Sequence, residues 1–136
     1  MNSKLLVLGT MAYDAIETPF GKTGKILGGC ATYIGLAASH FKSECGLISI
    51  IGSDFEEEHL ALLKAKNLDL TGVEQLEGEK TFFWSGKYQN DLNTRTTLDT
   101  QLNVLTKFNP KVPANFKDAS VVLLGNLDPN LQLEVL

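Results

Sequence analysis

Three short apolar runs, each ended or directly followed by glycine, constrain the fold of this 136-residue chain most strongly. The runs are KLLVLG at 4–9, CGLISII at 45–51 and SVVLLG at 120–125. Apolar runs of this length without polar alternation are typical of strands buried on both faces of a mostly parallel sheet. Helical patterns follow the runs, and this alternation predicts an α/β protein with a Rossmann-like, doubly wound sheet.

The first predicted helix lies in the stretch LGGCATYIGLAASHF at 27–41. Spacings of three and four residues predict a face that packs on the sheet. This face consists of Cys30, Ile34, Ala37, Ala38 and Phe41. Gly28 and Gly29 open the stretch, where backbone N–H groups of the first helical turn are free, so a ligand oxygen could approach the main chain. A tight glycine turn without any ligand explains the same pair.

Asp14 follows the first predicted strand after only a few residues. In open α/β sheets, ligands bind beyond the carboxyl ends of the strands, so this carboxylate is a candidate binding residue. The alternative is a solvated turn or capping residue. Pro19, Gly21 and Gly24 then interrupt the stretch at 16–26, which predicts a hairpin or a surface loop.

Capping signals place two further helices. Ser53 or Asp54 can cap a helix with an acidic first turn at 56–58, an apolar side and an end at Asn67. The apolar side of this helix consists of Leu60, Leu62 and Leu63. Asp128 followed by Pro129 predicts the start of another helix near the end of the chain.

An aromatic segment, KTFFWSGKY at 80–88, predicts a strand outside the parallel sheet. Period-two alternation places Phe82, Trp84 and Tyr88 on one face and Phe83 on the other. These aromatics could be core, a ligand site or a subunit interface. The polar stretch at 89–97 reads as an exposed loop that carries Arg95, a residue type suited to binding an anionic group.

Composition limits the partners and the location of the protein. The net charge of −4 without a basic stripe argues against nucleic acid. Cys30 and Cys45 are expected to be small buried hydrophobes rather than a disulfide or a metal pair. With no run long enough to span a membrane and no basic leader, we expect a cytoplasmic protein. The final predicted helix stops after one or two turns, so we expect the N-terminal part of a longer protein.

Four segments, in this order, resemble the ribokinase-like, PfkB-type family of carbohydrate and nucleoside kinases. They are KLLVLGTMAYD, GGCATYIGLAASHF, GLISIIGSDFEEEHLALLKAKNLDLTGV and KTFFWSGKY. The resemblance implies that Asp14 holds sugar hydroxyls and that Gly28 and Gly29 open a helix beside the substrate. It also implies a small β lid from segments near 14–28 and 80–105, so that 1–136 is the N-terminal part of a kinase domain.

The resemblance further implies ATP and Mg²⁺ as partners of the complete enzyme. The family's C-terminal glycine-rich stretch and catalytic aspartate have no counterpart at 98–136, so we expect no catalytic residue and no kinase activity in this chain alone. Two positions depart from the family pattern: Tyr33 replaces an asparagine and Lys42 replaces a glycine. Tyr33 could shrink the substrate pocket or stack on the substrate.

The first functional expectation is therefore a sugar kinase, with Asp14, Gly28, Gly29, Tyr33, Phe83 and Arg95 as substrate-binding residues. An adenosine-like nucleoside kinase is the enzymatic alternative, because a purine could stack on Tyr33 or Phe83. A non-catalytic binding or regulatory module is the alternative from another class. Unpaired edges and an aromatic face on the lid strands predict a homodimer through the lid.

Overall fold

The computed structural model describes residues 3–41 and 44–136, so the family departure at Lys42 lies outside the described residues. In these two ranges the chain forms nine strands, three α-helices and two short 3₁₀ helices. The strands are β1 (Lys4–Leu8), β2 (Ala12–Thr18), β3 (Gly21–Lys22), β4 (Ile26–Gly28), β5 (Glu44–Gly52), β6 (Leu68–Leu76), β7 (Phe83–Tyr88), β8 (Arg95–Gln101) and β9 (Val121–Leu124). The helices are α1 (Cys30–Ala38), α2 (Glu57–Ala65) and α3 (Pro129–Leu133), with 3₁₀ turns at Asn103–Lys107 and Ala114–Phe116.

Four strands form the predicted parallel sheet, in the order β6-β5-β1-β9. One face of this sheet packs against α1 and α2 through a cluster that includes Val7, Leu47 and Leu63. The other face packs against the two 3₁₀ turns and the α3 region through a second cluster. Strand β5 contributes to both clusters, so all of its residues after Glu44 are buried. A parallel sheet covered on both faces confirms the predicted doubly wound α/β fold.

Five strands form a second sheet, which we call the lid sheet. Its main order is β3-β2-β7-β8, and β4 pairs with β2 beside β3. The chain passes directly from β1 into β2, so the end of the parallel sheet continues into the lid sheet. The stretch at 16–26 forms the expected hairpin, in which Glu17 pairs with Lys22.

The buried face of α1 agrees with the predicted one in part: Ala38 is buried and Ile34 packs against the core cluster, as predicted, but the rest of the face differs. Ala31, Gly35 and Ala38 face the core, whereas Ala37 is exposed and Phe41 is 73% exposed. A side chain at Gly35 would meet Leu68 and Leu47 at 3.0 and 3.1 Å. The helix packs on the sheet through small residues that permit this close approach, and Phe41 follows the last helical turn.

The start of α2 also differs from the prediction. Neither Ser53 nor Asp54 caps the helix: the capping position is Glu56, and its N–H donates to the Tyr13 hydroxyl at 2.9 Å. Asp54 instead accepts a hydrogen bond from the backbone N–H of Thr81 at 2.7 Å. On the predicted apolar side Leu63 is buried, but Leu62 is 41% exposed. The other cap is confirmed, because the Asp128 carboxylate accepts from Asn130 N–H at 2.8 Å.

Three strands depart from the sequence interpretation. The β6 and β8 strands were not predicted, and Arg95 begins β8 instead of lying in a loop. All seven residues of β8 are exposed, so no buried face imposes the apolar alternation that reveals a strand. The predicted buried strand at 120–125 is β9, yet Val121 is 53% exposed, because β9 lies at the sheet edge with only β1 beside it.

Both cysteines are free. Cys45 is buried in the core as expected, and burial raises the pKa of its thiol to about 11. Cys30 is half-buried rather than fully buried.

Among the described residues, no helix has the length and apolar character needed to cross a membrane.

The second core cluster depends on Phe116, which is 1% exposed. Its ring lies 2.6 Å from where a side chain at Gly46 would begin. Phe116→Ala should lower the free energy of unfolding in urea by about 3–5 kcal/mol, because it leaves a cavity. Phe20 is 83% exposed, so the matched Phe20→Ala change should stay within about 0.5 kcal/mol. Equal losses would contradict the described packing.

Candidate functional site

A cavity of about 370 Å³ lies where the parallel sheet meets the lid sheet. Its lining comes from the start of β2, the start of α1, β7 and the residue before it, β8 and the loop after β9. The lining residues are Ala12, Asp14, Gly29, Cys30, Tyr33, Phe82, Trp84, Tyr88, Arg95 and Asn126. Four of the predicted site residues are among them: Asp14, Gly29, Tyr33 and Arg95.

Asp14 provides the only carboxylate among the residues that line the cavity. Its strand position pairs with Trp84 on β7 and with Ile26 on β4. Burial raises the pKa of this carboxyl group above its ordinary value. Within residues 3–41 and 44–136, no side chain or backbone group donates a hydrogen bond to it, so its oxygens are available to donors of a ligand.

Gly28 accommodates the Asp14 side chain. A Cβ atom at Gly28 would lie 2.1 Å from Asp14 Oδ2, which is far shorter than any van der Waals contact. Gly28 does not line the cavity. Gly28 therefore has a steric role, because the side chain that it lacks would occupy the space of the Asp14 carboxylate.

Gly29 has the geometry that favours glycine, with a φ of 96°. A Cβ atom there would lie 2.3 Å from the carbonyl oxygen of Thr10. The first backbone N–H groups of α1 are already bonded, because Cys30 N donates to Thr10 Oγ1 at 3.1 Å and Ala31 N donates to Thr10 O at 2.9 Å. These two groups therefore bind the loop after β1, in place of the expected approach by a ligand oxygen.

Thr10 does not line this cavity, but it holds the start of α1 beside it, and the sequence interpretation missed this residue. It is 8% exposed, and besides these two bonds its own N–H donates to Cys30 Sγ at 3.2 Å. Asn126, in the loop that follows β9, was also missed. The available signal was position: both residues lie beyond the carboxyl ends of strands in the parallel sheet, where ligand sites of such sheets occur.

Aromatic side chains form much of the cavity wall. Phe82, Trp84 and Tyr88 all line it, as expected for residues on one face of the aromatic segment. Phe83 does not: it packs against the core cluster on the other face, and the Lys25 ammonium lies 4.9 Å from its ring centre. The structure therefore does not bring Phe83 together with the other predicted binding residues, because neighbouring residues on a strand point to opposite faces.

Arg95 reaches the cavity from β8. Its guanidinium carbon lies 6.0 Å from the centre of the Trp84 ring. None of the ion pairs in the described part of the chain includes Arg95. The cavity therefore combines one half-buried carboxylate, one cation without a carboxylate partner, and several aromatic rings.

A larger cavity of about 620 Å³ adjoins the first, and Thr10, Phe82 and Asn126 line its near side. Most of its other lining residues are apolar, including Leu102, Leu105 and Leu131.

A separate group at the start of α2 brings three possible metal ligands within 4.8 Å of one another: Glu56, Glu58 and His59. The Nδ1 atom of His59 is hydrogen-bonded to Tyr13 at 3.0 Å, and the two glutamates are exposed.

The raised pKa of Asp14 predicts how the stability of the chain depends on pH. Burial disfavours the charged form of the Asp14 carboxyl, so the folded chain binds its proton more tightly than the unfolded chain does. The proton's contribution to the free energy of unfolding is complete below the unfolded pKa of about 3.9, and it is lost as the pH rises through the raised pKa of the folded state. Asp14→Asn should therefore raise the thermal midpoint at pH 7, and the gain should shrink towards pH 4.

A matched variant checks the sign. Lys4 lowers the pKa of the exposed Asp118, so Asp118→Asn should not raise the thermal midpoint at pH 7. If Asp14→Asn lowered the midpoint at pH 7, the carboxylate would be stabilised by its surroundings, and the described site would be wrong.

Comparison with known proteins supports the family resemblance. No protein-family model matches the chain. A curated cytidine kinase from Thermococcus kodakarensis is 29% identical over 133 residues, which are 97% of this chain and 46% of that protein. The chain thus spans about half the length of this curated relative.

Solved structures support the same fold. A nucleoside kinase from Methanocaldococcus jannaschii, an archaeal member of the ribokinase family, matches with a TM-score of 0.76 at 19% identity, over 97% of this chain and 47% of that one. A ribokinase from Cryptococcus neoformans in complex with ADP matches with a TM-score of 0.66 at 17% identity, over 92% and 41%. These matches confirm the predicted ribokinase-like fold.

Proposed function

From the ribokinase-like fold of this chain, we propose that it carries the acceptor-binding side of an ATP-dependent kinase. The proposed reaction transfers a phosphoryl group to a hydroxyl of a small sugar or nucleoside. The chain spans less than half of the cytidine kinase and of both solved kinases, so the reaction belongs to a protein in which this part is joined to a nucleotide-binding part.

The observation that carries the proposal is the Asp14 carboxylate. It is half-buried, it has no hydrogen-bond donor among the described residues, and it faces a cavity lined by aromatic rings. A carboxylate in this state accepts hydrogen bonds from the hydroxyls of a polyol, and the partly dry surroundings strengthen those bonds. Asp14 would thus fix the orientation of the acceptor, which is a main contribution of proteins to phosphoryl transfer.

The donor side is supplied by ATP, which provides the phosphoryl group when it is bound. The described cavity does not have the composition of a Mg²⁺ phosphate centre, because Asp14 is the single carboxylate that lines it. We therefore assign Asp14 to the acceptor hydroxyls and assign no metal ligand to the described residues of this chain.

The acceptor class has two candidates. The sequence interpretation favours a sugar, with a nucleoside as the alternative. Tyr33, Phe82, Trp84 and Tyr88 line a cavity of about 370 Å³, and so much aromatic surface suits a nucleoside, which adds a planar base to the sugar. A cytidine kinase and a nucleoside kinase among the similar proteins support the same choice. We therefore favour a nucleoside acceptor.

The proposal includes a cytoplasmic protein that forms a homodimer through the lid sheet. The exposed strands β3 and β8 end this sheet and present unpaired backbone groups, which a second copy can pair with. A monomeric mass at micromolar concentration, measured by light scattering on the complete protein, would contradict the dimer.

Calorimetric titration with cytidine, adenosine and ribose tests the acceptor site in this chain. Asp14→Asn should weaken binding by about 10- to 150-fold, which corresponds to the roughly 1.5–3 kcal/mol of a charge-assisted hydrogen bond. Asp118→Asn, on the exposed surface, should leave binding unchanged. Binding that is insensitive to Asp14→Asn would overturn the assignment.

An assay of ADP formation tests the reaction itself. We expect turnover with a nucleoside or sugar from the protein that joins this chain to its nucleotide-binding part, and no turnover from the 136-residue chain alone. Folded, ligand-binding protein without turnover in both forms would instead support a binding or regulatory module.

A further inference from the structure

We propose that Trp84 is a stacking surface that makes this site select acceptors with a planar base over free sugars. The inference rests on the proposed function, because it assigns the sugar part of the acceptor to Asp14. It adds a specificity-determining residue and a physical reason for the choice of acceptor class. Four observations on the lid sheet support it.

The first observation is the register of β2 and β7. Asp14 and Trp84 are direct partners in this parallel pair, so their side chains leave neighbouring strands on the same face. Neighbouring strands lie about 4.8 Å apart, so a hydroxyl-binding carboxylate and an aromatic ring stand side by side. A nucleoside has the matching arrangement, because its hydroxyls and its planar base are on one small molecule.

The second observation is that the indole ring of Trp84 packs over Gly86 on β7. A Cβ atom at Gly86 would lie 2.1 Å from Trp84 Cη2 and 2.4 Å from Cζ2. The ring therefore lies along its own strand, over the space that the glycine leaves. This packing limits the rotation of the indole, so little conformational entropy remains to be lost when a ligand stacks on it.

The third observation is a hydrogen bond that fixes the other end of the ring. Trp84 Nε1 donates to Thr97 Oγ1 on β8 at 3.3 Å. The register of β7 and β8 shifts between Ser85, which pairs with Asp99, and Gly86, which pairs with Thr97. This bulge brings Thr97 opposite the glycine under the indole, and such irregularities re-aim side chains beside binding sites.

The fourth observation is the position of Arg95. Its guanidinium carbon lies 6.0 Å from the centre of the Trp84 ring, and Arg95 forms no ion pair with the described residues. A guanidinium next to an aromatic ring offers a second flat surface and N–H donors, which suit a base that carries a carbonyl oxygen. A free sugar has neither a planar ring nor a carbonyl in its cyclic form.

Trp84 is the single tryptophan of the chain, so its fluorescence reports on this position without any kinase assay. Cytidine should quench the emission as it binds, whereas ribose should bind with little change in emission. By calorimetry, Trp84→Leu should weaken cytidine binding by about 5- to 150-fold, the range for stacking of one base. The same variant should weaken ribose binding by less than about twofold.

Matched variants separate stacking from general damage to the fold. Trp84→Phe keeps an aromatic ring and should restore part of the cytidine affinity that Trp84→Leu loses. Gly86→Ala displaces the indole without removing it and should also weaken cytidine binding. Gly24→Ala is its control, because a side chain at Gly24 meets nothing within 4 Å. Circular dichroism melting confirms that each variant is folded.

The outcomes distinguish this inference from the function on which it rests. If Trp84→Leu weakened cytidine and ribose equally, or neither of them, stacking would be refuted, while a loss of both ligands in Asp14→Asn would still support the acceptor site. If Asp14→Asn had no effect on either ligand, the proposed function would fail. If the folded chain bound neither ligand, both proposals would fall.

Discussion

The position of the start of α1 relative to the end of β1 depends on the hydrogen bonds of Thr10. Its hydroxyl and its carbonyl accept the first two N–H groups of the helix, at 3.1 and 2.9 Å. These bonds satisfy backbone donors that a helix start leaves without partners, and they are possible because Gly29 has no side chain to strike the Thr10 carbonyl. This connection also positions the start of β2, and therefore the lid sheet and Asp14, relative to the parallel sheet.

The candidate site contains several features that reduce stability. Asp14 is partly withdrawn from water without a donor among the described residues, and its pKa rises as a consequence. Gly28 and Gly86 each leave a space that a neighbouring side chain fills, Asp14 in the first case and Trp84 in the second. Both glycines lose more backbone freedom on folding than other residues would, and this cost in stability fits the binding role that we propose for the site.

The lid sheet shows why some elements were predictable and others were not. In the aromatic segment, the alternation of Phe82, Trp84 and Tyr88 indicated the face that lines the cavity. The choice of Phe83 as a ligand contact went against that same alternation, and the structure places Phe83 on the core. Strand β8 carries no alternation because it is fully exposed, so its existence, and the place of Arg95 on it, depend on pairing with β7.

The sequence by itself determined three of the four strands of the parallel sheet, β1, β5 and β9, and the position of Asp14 beyond the first of them. Buried strands need uninterrupted apolar residues, and that need is visible in the residues themselves. Tertiary structure alone decided which face of α1 is buried, that β9 lies at an edge, and that Arg95 and Asn126 meet Asp14 and Trp84 around one cavity. These outcomes depend on contacts between residues far apart in the chain, and local propensity contains no information about such contacts.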